Sequence, residues 1–498
     1  MTRTISAAGG PPERAPHTRV RALNDRAADP AGGYVLYWMT TARRPGWNHA
    51  LDHAVHLAQS LARPLVVLEG LGLRYPYPSR RHHRFILDGM EHNRQAFADR
   101  GVTAIFCIED RNGAGTGLVD RLVEHSCVMV TDQTAFPFLR SLESVAARAP
   151  VQSLAVDSVG LLPLSAADRT FPTAHSFRRH LHKMLPGHLH ALPHPDPAGA
   201  STLPGPAVLP DLTPWAHCIG VGELPPALDL DALPIDQTVD ATELRGGADA
   251  ATARWRRFLN ENLDHYAEGR NHPDDGGSSG LSPWLHHGHF SPFQALVELG
   301  ERYDWTPDRL TPGGRGSRTG WWDLPEGPEA FLDELVTWRE VGQVFAWHEP
   351  EAHTWETLPD WARKTLSEHA ADPRPETYDR EILENAGTAD PIWNAAQREL
   401  VRSGRMHNYL RMLWGKKVLQ WSATPQEALE TLLYLNDKYA LDGRDPNTLA
   451  GVGWVFGRFD RAWGPERPIF GKTRYMTSDS TARKLRLRRY LERWGPAT

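Results

Sequence analysis

Five groups of side chains in this 498-residue chain have the types and spacing to do chemistry. Trp414 and Trp421 are seven residues apart in an apolar stretch, so on a helix both indoles lie on one face, roughly 10 Å apart along the axis. Trp393 opens the same helical region. Such spacing suits a core stripe; it equally suits a chain of indoles passing single electrons between a buried redox group and solvent. Glu334 and Trp338, at i and i+4, also share a helix face, with a carboxylate beside an indole. Ser278-Ser-Gly-Leu-Ser-Pro-Trp284 is a hydroxyl-rich turn leading into a helix, able to donate O–H and N–H bonds to a phosphate or simply to cap the helix with Ser282. Asn436-Asp-Lys-Tyr-Ala-Leu-Asp-Gly-Arg-Asp-Pro-Asn447 is a dense polar loop after a helix, and Arg411 upstream is a natural partner for one of its aspartates. Glu466-Arg-Pro-Ile-Phe-Gly-Lys-Thr-Arg-Tyr-Met476 mixes cations with planar side chains, as a solvated loop or as a surface for single-stranded or distorted nucleic acid.

These groups must be held by two kinds of material. From Tyr34 to Val156, short β-rich runs alternate with helical periodicity. Strands are predicted at 34–39, 64–69, 102–108, 127–131 and 151–156, and helices at 47–61, 80–100, 117–126 and 135–148. That alternation implies βαβ units and a five-stranded parallel sheet covered on both faces, a Rossmann-like α/β domain over 34–160. No G-x-G-x-x-G and no Walker loop follows any strand, so an ordinary dinucleotide or nucleotide-phosphate site is not signalled. Residues 1–33 lack periodicity and are expected to form a disordered tail. Recurrent proline marks 161–245 as an interdomain connector. From 246 to 498 strand signals nearly vanish and an all-α domain is predicted, with helices at 251–268, 284–302, 329–346, 393–421, 425–438 and 480–494.

Composition narrows the class. No run approaches the roughly 18 apolar residues of a membrane span. The three cysteines, Cys107, Cys127 and Cys218, form neither a zinc pair nor a disulfide framework, and with no secretory signal pattern this points to a reducing cytoplasm. Net charge is −6, yet residues 401–498 hold 18 Lys and Arg against 9 Asp and Glu. A basic C-terminal fifth keeps a polyanionic partner in play, because such a partner needs only one positive face.

Together these segments resemble the class II cyclobutane pyrimidine dimer photolyases of the photolyase/cryptochrome family. The resemblance runs through Arg19-Val-Arg-Ala-Leu-Asn24, Tyr34-Val-Leu-Tyr-Trp-Met39, Ser279-Gly-Leu-Ser-Pro-Trp284, Trp338-Arg-Glu340, Met406-His407 and Leu410-Arg-Met412. It continues through Leu435-Asn-Asp-Lys-Tyr439, Leu441-Asp-Gly-Arg-Asp-Pro-Asn447 and Arg467-Pro-Ile-Phe-Gly-Lys472, covering most of the chain outside the connector.

The resemblance implies an N-terminal antenna domain, a helical FAD-binding domain at the C-terminus, and light-driven repair of pyrimidine dimers in UV-damaged DNA by a monomeric enzyme. Excited, reduced FAD would lend the flipped-out lesion an electron, so neither a metal nor acid–base machinery is required. Tyr266, Ser278, Ser279, Leu281 and Ser282 would hold FAD phosphates and ribose. Arg411, Asp442 and Asp445 would line its isoalloxazine and adenine, and Asn436 would lie beside flavin N5. Trp393, Trp414 and Trp421 match the photoreduction chain, which decides between the two readings of their spacing. Glu334 would hydrogen-bond the dimer, Trp338 and Trp454 would pack on it, and Arg270, Lys472 and Arg474 would hold phosphates.

The chain departs from the class pattern in two places. Thr40-Thr-Ala-Arg-Arg-Pro-Gly-Trp-Asn-His-Ala-Leu51 differs from the usual stretch and bears on the antenna, for which a deazaflavin or a folate is compatible. Asn408, with Met412 at i+4, stands where class II enzymes carry Gly. That pair resembles other dimer photolyases and disfavours the (6-4) photoproduct as substrate. His407 reads as an ordinary helix residue. The alternative function is a cryptochrome-type blue-light photoreceptor without repair activity.

Overall fold

The computed structural model describes residues 13–225 and 228–496. It divides into two compact units that do not follow chain order. One takes the residues up to 168, 184–255 and 281–310; the other takes 169–183, 256–280 and 311 onward.

The first unit is built on a seven-stranded sheet. Its strands are β1 (Val20–Ala22), β2 (Tyr34–Met39), β3 (Leu65–Leu71), β4 (Thr103–Ile108), β5 (Ser126–Asp132), β6 (Gln152–Val156) and β7 (Ile219–Val221). The spatial order is β1-β6-β5-β2-β3-β4-β7. The five predicted strands form the parallel centre. The two outermost strands were not anticipated, and both are antiparallel. β1 comes from the segment read as a tail, whose residues 1–12 lie outside the described part. Its anchor is Arg19, only 2% exposed, which donates to the carbonyls of Gly160 and Leu161. β7 comes from the proline-rich stretch. Three-residue edge strands carry too short a period-2 pattern to stand out in sequence.

Side chains of the central strands alternate faces. Val35, Tyr37 and Met39 join one core with helices α1 (His49–Ser60) and α2 (Arg80–Ala98). Tyr34, Leu36 and Trp38 join the other with α3 (Leu118–Val123) and α4 (Arg140–Ala147). Both faces being buried explains the unbroken apolar runs.

The remaining helices are α5 (Ala174–Met184), α6 (Ala248–Glu261), α7 (Tyr266–Gly269), α8 (Ser282–His286), α9 (Pro292–Tyr303), α10 (Glu326–Leu332), α11 (Arg339–His348), α12 (Asp360–Glu368), α13 (Arg380–Glu384), α14 (Pro391–Ser403), α15 (Asn408–Trp421), α16 (Pro425–Tyr439), α17 (Pro446–Val455), α18 (Ser478–Lys484) and α19 (Arg488–Trp494). The single helix predicted over 393–421 is two. Gly404 closes α14 with φ +68°, a left-handed conformation that favours glycine. The chain restarts at α15 with the non-helical His407 at its N-cap (φ −58°, ψ 130°), so His407 precedes the helix. Between α10 and α11, residues Asp333–Trp338 form a π-helical turn. No described helix is long and apolar enough to cross a membrane.

Strand order reverses between β2 and β5, the place where open α/β sheets leave a crevice. Here Asp132, at the end of β5, fills part of it. One carboxylate oxygen accepts the backbone N–H groups of Thr40, Thr41 and Ala42 at 2.7–2.9 Å. The other accepts the Tyr37 hydroxyl at 2.8 Å. Asn48 then caps α1 and donates to the Tyr37 oxygen. Asp132→Asn is expected to destabilise the protein by about 2–4 kcal/mol, because an amide cannot replace three charge-assisted acceptor bonds. A urea midpoint equal to that of the unaltered protein would show that this loop does not depend on the carboxylate.

Candidate functional site

The polar loop after α16 is drawn together with α15 in the second unit. Arg411 donates from Nη2 to Asp442 Oδ1 at 2.7 Å, the pairing expected from sequence, and from Nη1 to Asn436 Oδ1 at 3.3 Å. Asn436, 5% exposed, gives its amide hydrogens to Thr448 Oγ1 at 3.1 Å and Asp437 Oδ1 at 3.3 Å. Asp445 caps α17 by accepting from the Asn447 N–H at 2.7 Å. The loop is tight because Gly443 packs on α16. A Cβ there would lie 2.8 Å from the Asn436 carbonyl oxygen. Thr448 makes the cluster continuous, since its hydroxyl also donates to the Asp442 carbonyl.

Three residues beyond Arg411, and so on the same side of α15, Trp414 begins an indole stack. Trp393, from α14, lies between the two indoles of α15. Its ring is parallel to Trp414 within 8° at 6.5 Å and edge-on to Trp421 at 5.4 Å. All three are at most 4% exposed. Two of the N–H groups are bonded: Trp393 Nε1 donates to the Trp414 carbonyl and Trp414 Nε1 to Gln397 Oε1. The break at residues 404–407 makes this possible, since a continuous helix would carry Trp393 some 30 Å from Trp414. Beyond Trp421, the half-exposed ring of Tyr378 makes an edge contact at 5.1 Å. Sequence offers no sign of that residue, which lies in a loop.

A third group centres on Glu334. The π-helical turn of Asp333–Trp338 replaces the α-helical spacing assumed for Glu334 and Trp338. With about 4.4 residues per π-turn, the two side chains still emerge within roughly 30–40° of each other. Glu334 is ion-paired with Arg270, whose guanidinium also lies 5.7 Å from the Tyr266 ring. Burial pushes the Glu334 carboxyl above its usual range, and Arg270 opposes the shift. Tyr266 is 7% exposed, and burial holds its phenol well above the ordinary value. His407, before α15, is pushed down to about 4 by burial, with the Arg270 carbonyl as its partner. In this chain Arg270 is therefore engaged by Glu334, and a phosphate would compete for it.

Near the C-terminus, Arg474 lies over Trp454 at 4.9 Å and Trp463 at 4.5 Å and pairs with Asp460 at 3.5 Å. Lys472 is about half exposed. At the start of α15, Asn408 is exposed and Met412 half-buried. Ser278 and Ser279 belong to the second unit, Leu281 and Ser282 to the first. Ser282 is the first residue of α8, and the cap position is Leu281, which makes no side-chain cap bond; the simple N-cap alternative for Ser282 is not realised. No metal-ligating cluster forms among the described residues.

Sequence reading missed Lys416. It follows Trp414 and Gly415 and is 1% exposed. Its ammonium donates to the Val455 carbonyl and lies 3.4 Å from Thr473 Oγ1. It thereby ties α15 to the residue after Trp454 and to the residue between Lys472 and Arg474. A lysine flanked by another lysine in a helix reads as surface, and nothing local marks it as interior.

No family model matches the chain. Individual relatives do. A deoxyribodipyrimidine photo-lyase from Methanothermobacter thermautotrophicus is 35% identical over 481 residues, covering 95% of this chain and 97% of that protein. One from Oryza sativa subsp. japonica is 33% identical, covering 95% and 90%. One from Potorous tridactylus is 30% identical, covering 93% and 81%. The fold is similar to that of a class III photolyase from Agrobacterium tumefaciens, with TM-score 0.64 at 18% identity, covering 93% of this chain and 86% of the other. A Synechocystis sp. PCC6803 cryptochrome gives TM-score 0.64 at 16% identity, covering 93% and 88%.

Lys416 generates a pH prediction. Burial lowers its ammonium from 10.5 to about 7. Between those values the unfolded chain holds a proton that the folded protein has released, so stability rises with pH. Relative to Lys416→Met, the unaltered protein should gain about 1.4 kcal/mol per pH unit across this window, measured from urea midpoints between about pH 7.5 and 9. A pH-independent difference between the two proteins would refute the shift.

Proposed function

The chain belongs to the photolyase/cryptochrome family, and from that premise we propose that it is a class II photolyase acting on cyclobutane pyrimidine dimers in DNA as a monomer. The observation that carries this reading is the placement of Arg411 and Trp414 on one side of α15. The Arg411–Asp442–Asn436 cluster and the buried indole stack thereby share a single rigid element.

The residues fit FAD. The Arg411 guanidinium and the buried Asn436 amide, bonded to each other and to Asp442, Thr448 and Asp437, would turn part of that bonding to the flavin. The hydroxyls of Ser278 and Ser279 suit its phosphates and ribose, and Tyr266 and Asp445 would complete the contacts. FAD, when bound and reduced, supplies under blue light the one electron that opens the cyclobutane ring, and takes it back afterwards. Asn436 presents polar amide atoms in a dry setting, where they interact strongly with any charge on the cofactor. Trp414, Trp393 and Trp421 provide the route by which oxidised cofactor regains electrons from solvent. Their near-contact spacing suits hopping between rings.

Glu334 meets the flipped-out dimer and steadies its added charge. Trp338 and Trp454 pack on the lesion, Asn408 and Met412 border it, and Arg270, Lys472 and Arg474 draw phosphates. The Arg474 stack on two indoles presents a cation with its plane preset, which lowers the ordering cost of binding. For an antenna of the deazaflavin or folate type, the first unit offers a buried atom without a hydrogen-bond partner, Asn93 Oδ1, beside Glu69, whose Oε1 is ion-paired with Arg43 at 3.8 Å.

The test is thymine recovery from an oligonucleotide with one thymine dimer, added to reduced protein under blue light and in darkness. Light-dependent recovery is expected; photoreducible protein without recovery would favour the cryptochrome-type photoreceptor. Trp414→Phe should slow photoreduction of the oxidised protein by about 10-fold or more, since it removes the indole beside Arg411. Repair by pre-reduced Trp414→Phe should stay near that of the unaltered protein. Equal loss of both activities would remove the stack from electron supply.

A further inference from the structure

The π-helical turn that carries Glu334 is an unusual backbone arrangement, and such turns need support from their surroundings. Its support comes from the proline-rich stretch that the sequence marks as an interdomain connector. Arg178, on α5, reaches Asp333 with two parallel hydrogen bonds. Nε donates to Oδ1 at 2.8 Å and Nη2 to Oδ2 at 2.9 Å. The Arg178 side chain is 3% exposed and that of Asp333 14%, so water hardly competes. α5 is itself held by Phe177 and Leu181, both in the core. One turn beyond Arg178, His182 stacks on Trp321 at 4.0 Å and 11°. Asp333 is the first residue of the π-turn and the chain neighbour of Glu334. A planar fork on a carboxylate restrains orientation as well as distance, which a lysine would not do.

We propose that Arg178 is a positioning residue for Glu334: it fixes the start of the π-turn through Asp333 and, with Arg270, sets the charge surroundings of the Glu334 carboxylate. The inference rests on the reading that Glu334 meets the lesion. The charged and titratable groups facing Glu334 are Arg270 and Tyr266 from the segment around α7, Asp333 on its own turn, and Arg178 on α5. Both arginines hold the carboxyl down against burial. Arg178 thus acts in two separable ways, through the geometry of its fork and through its charge.

The experiment uses the full-length reduced protein and an oligonucleotide with one thymine dimer. Repair quantum yield and lesion affinity are measured for R178K, R178M, D333N and E334A across pH. R178K keeps the charge and loses the fork. Its yield should fall roughly three- to tenfold while its dissociation constant stays within about twofold, as expected for a misplaced reacting partner. D333N should behave likewise, and it keeps the test open if R178M fails to fold. R178M should lower the yield and also move the pH inflection of repair upward, whereas R178K should leave the inflection in place. Loss of thermal stability with unchanged yield and unchanged inflection would overturn the inference, leaving a purely structural ion pair. If E334A lowers the yield and the Arg178 and Asp333 variants do not, the inference alone fails. If E334A leaves the yield unchanged, the reading of Glu334 fails and the inference falls with it.

Discussion

A charge taken out of water must meet a counter-charge, and the second unit is laid out by three such meetings: Arg411 with Asp442, Arg270 with Glu334, and Arg178 with Asp333. Arg178–Asp333 is the most buried of the three, and removing one member of such a pair leaves the other stranded at a cost of several kcal/mol; at the two partly exposed pairs the cost is smaller. Each pair therefore fixes the separation of the elements that bear it. Arg411 draws the polar loop onto α15, Arg270 brings the segment after α7 to the π-turn, and Arg178 holds that turn from outside. The pairs stabilise little by themselves. Their effect is to make one arrangement of the polar side chains far better than any other.

The indole stack depends on a different constraint, the volume of large rings in a close-packed interior. Trp393 can lie between Trp414 and Trp421 only because the chain turns back at Gly404 and places α14 beside α15. The N–H groups of Trp393 and Trp414 are then given oxygens, on Trp414 and on Gln397. The same ring contacts that fill the core also bring the π-systems within a few ångströms. Packing therefore gives the same geometry that the proposed electron supply asks for.

In the first unit the constraint is the crevice over β2 and β5. Asp132 closes it locally by gathering three backbone N–H groups, and Asn48 and Tyr37 extend that network into α1. The start of the unusual stretch after Met39 is accommodated in this way, since the N–H groups of Thr40, Thr41 and Ala42 find a carboxylate oxygen, while those of Arg44 and Trp47 go to the Ala42 and His194 carbonyls. On the neighbouring strand β3, Glu69 pairs with Arg43 and accepts from Asn93, whose Oδ1 has no hydrogen-bond partner.

The sequence alone determined the central strands, the positions of most helices and one polar contact of the candidate site. Five strands and their covering helices were legible because buried parallel strands are uniformly apolar, and helices beside them repeat every 3.6 residues. The Arg411–Asp442 contact was legible because a polar loop after a helix needs a cation nearby. Only the tertiary structure decided which side chains meet across long separations. The break between α14 and α15 hides in one glycine, and periodicity runs through it. The π-turn looks α-helical because one extra residue barely disturbs the apolar pattern. The edge strands β1 and β7 are too short to show a period, and Arg178 sits in a stretch whose prolines dominate its composition. Lys416 reads as surface, since a lysine's burial depends on what packs over it. Local patterns record each residue's preference for a face; partners 60 to 160 residues away are set by packing, which no local pattern encodes.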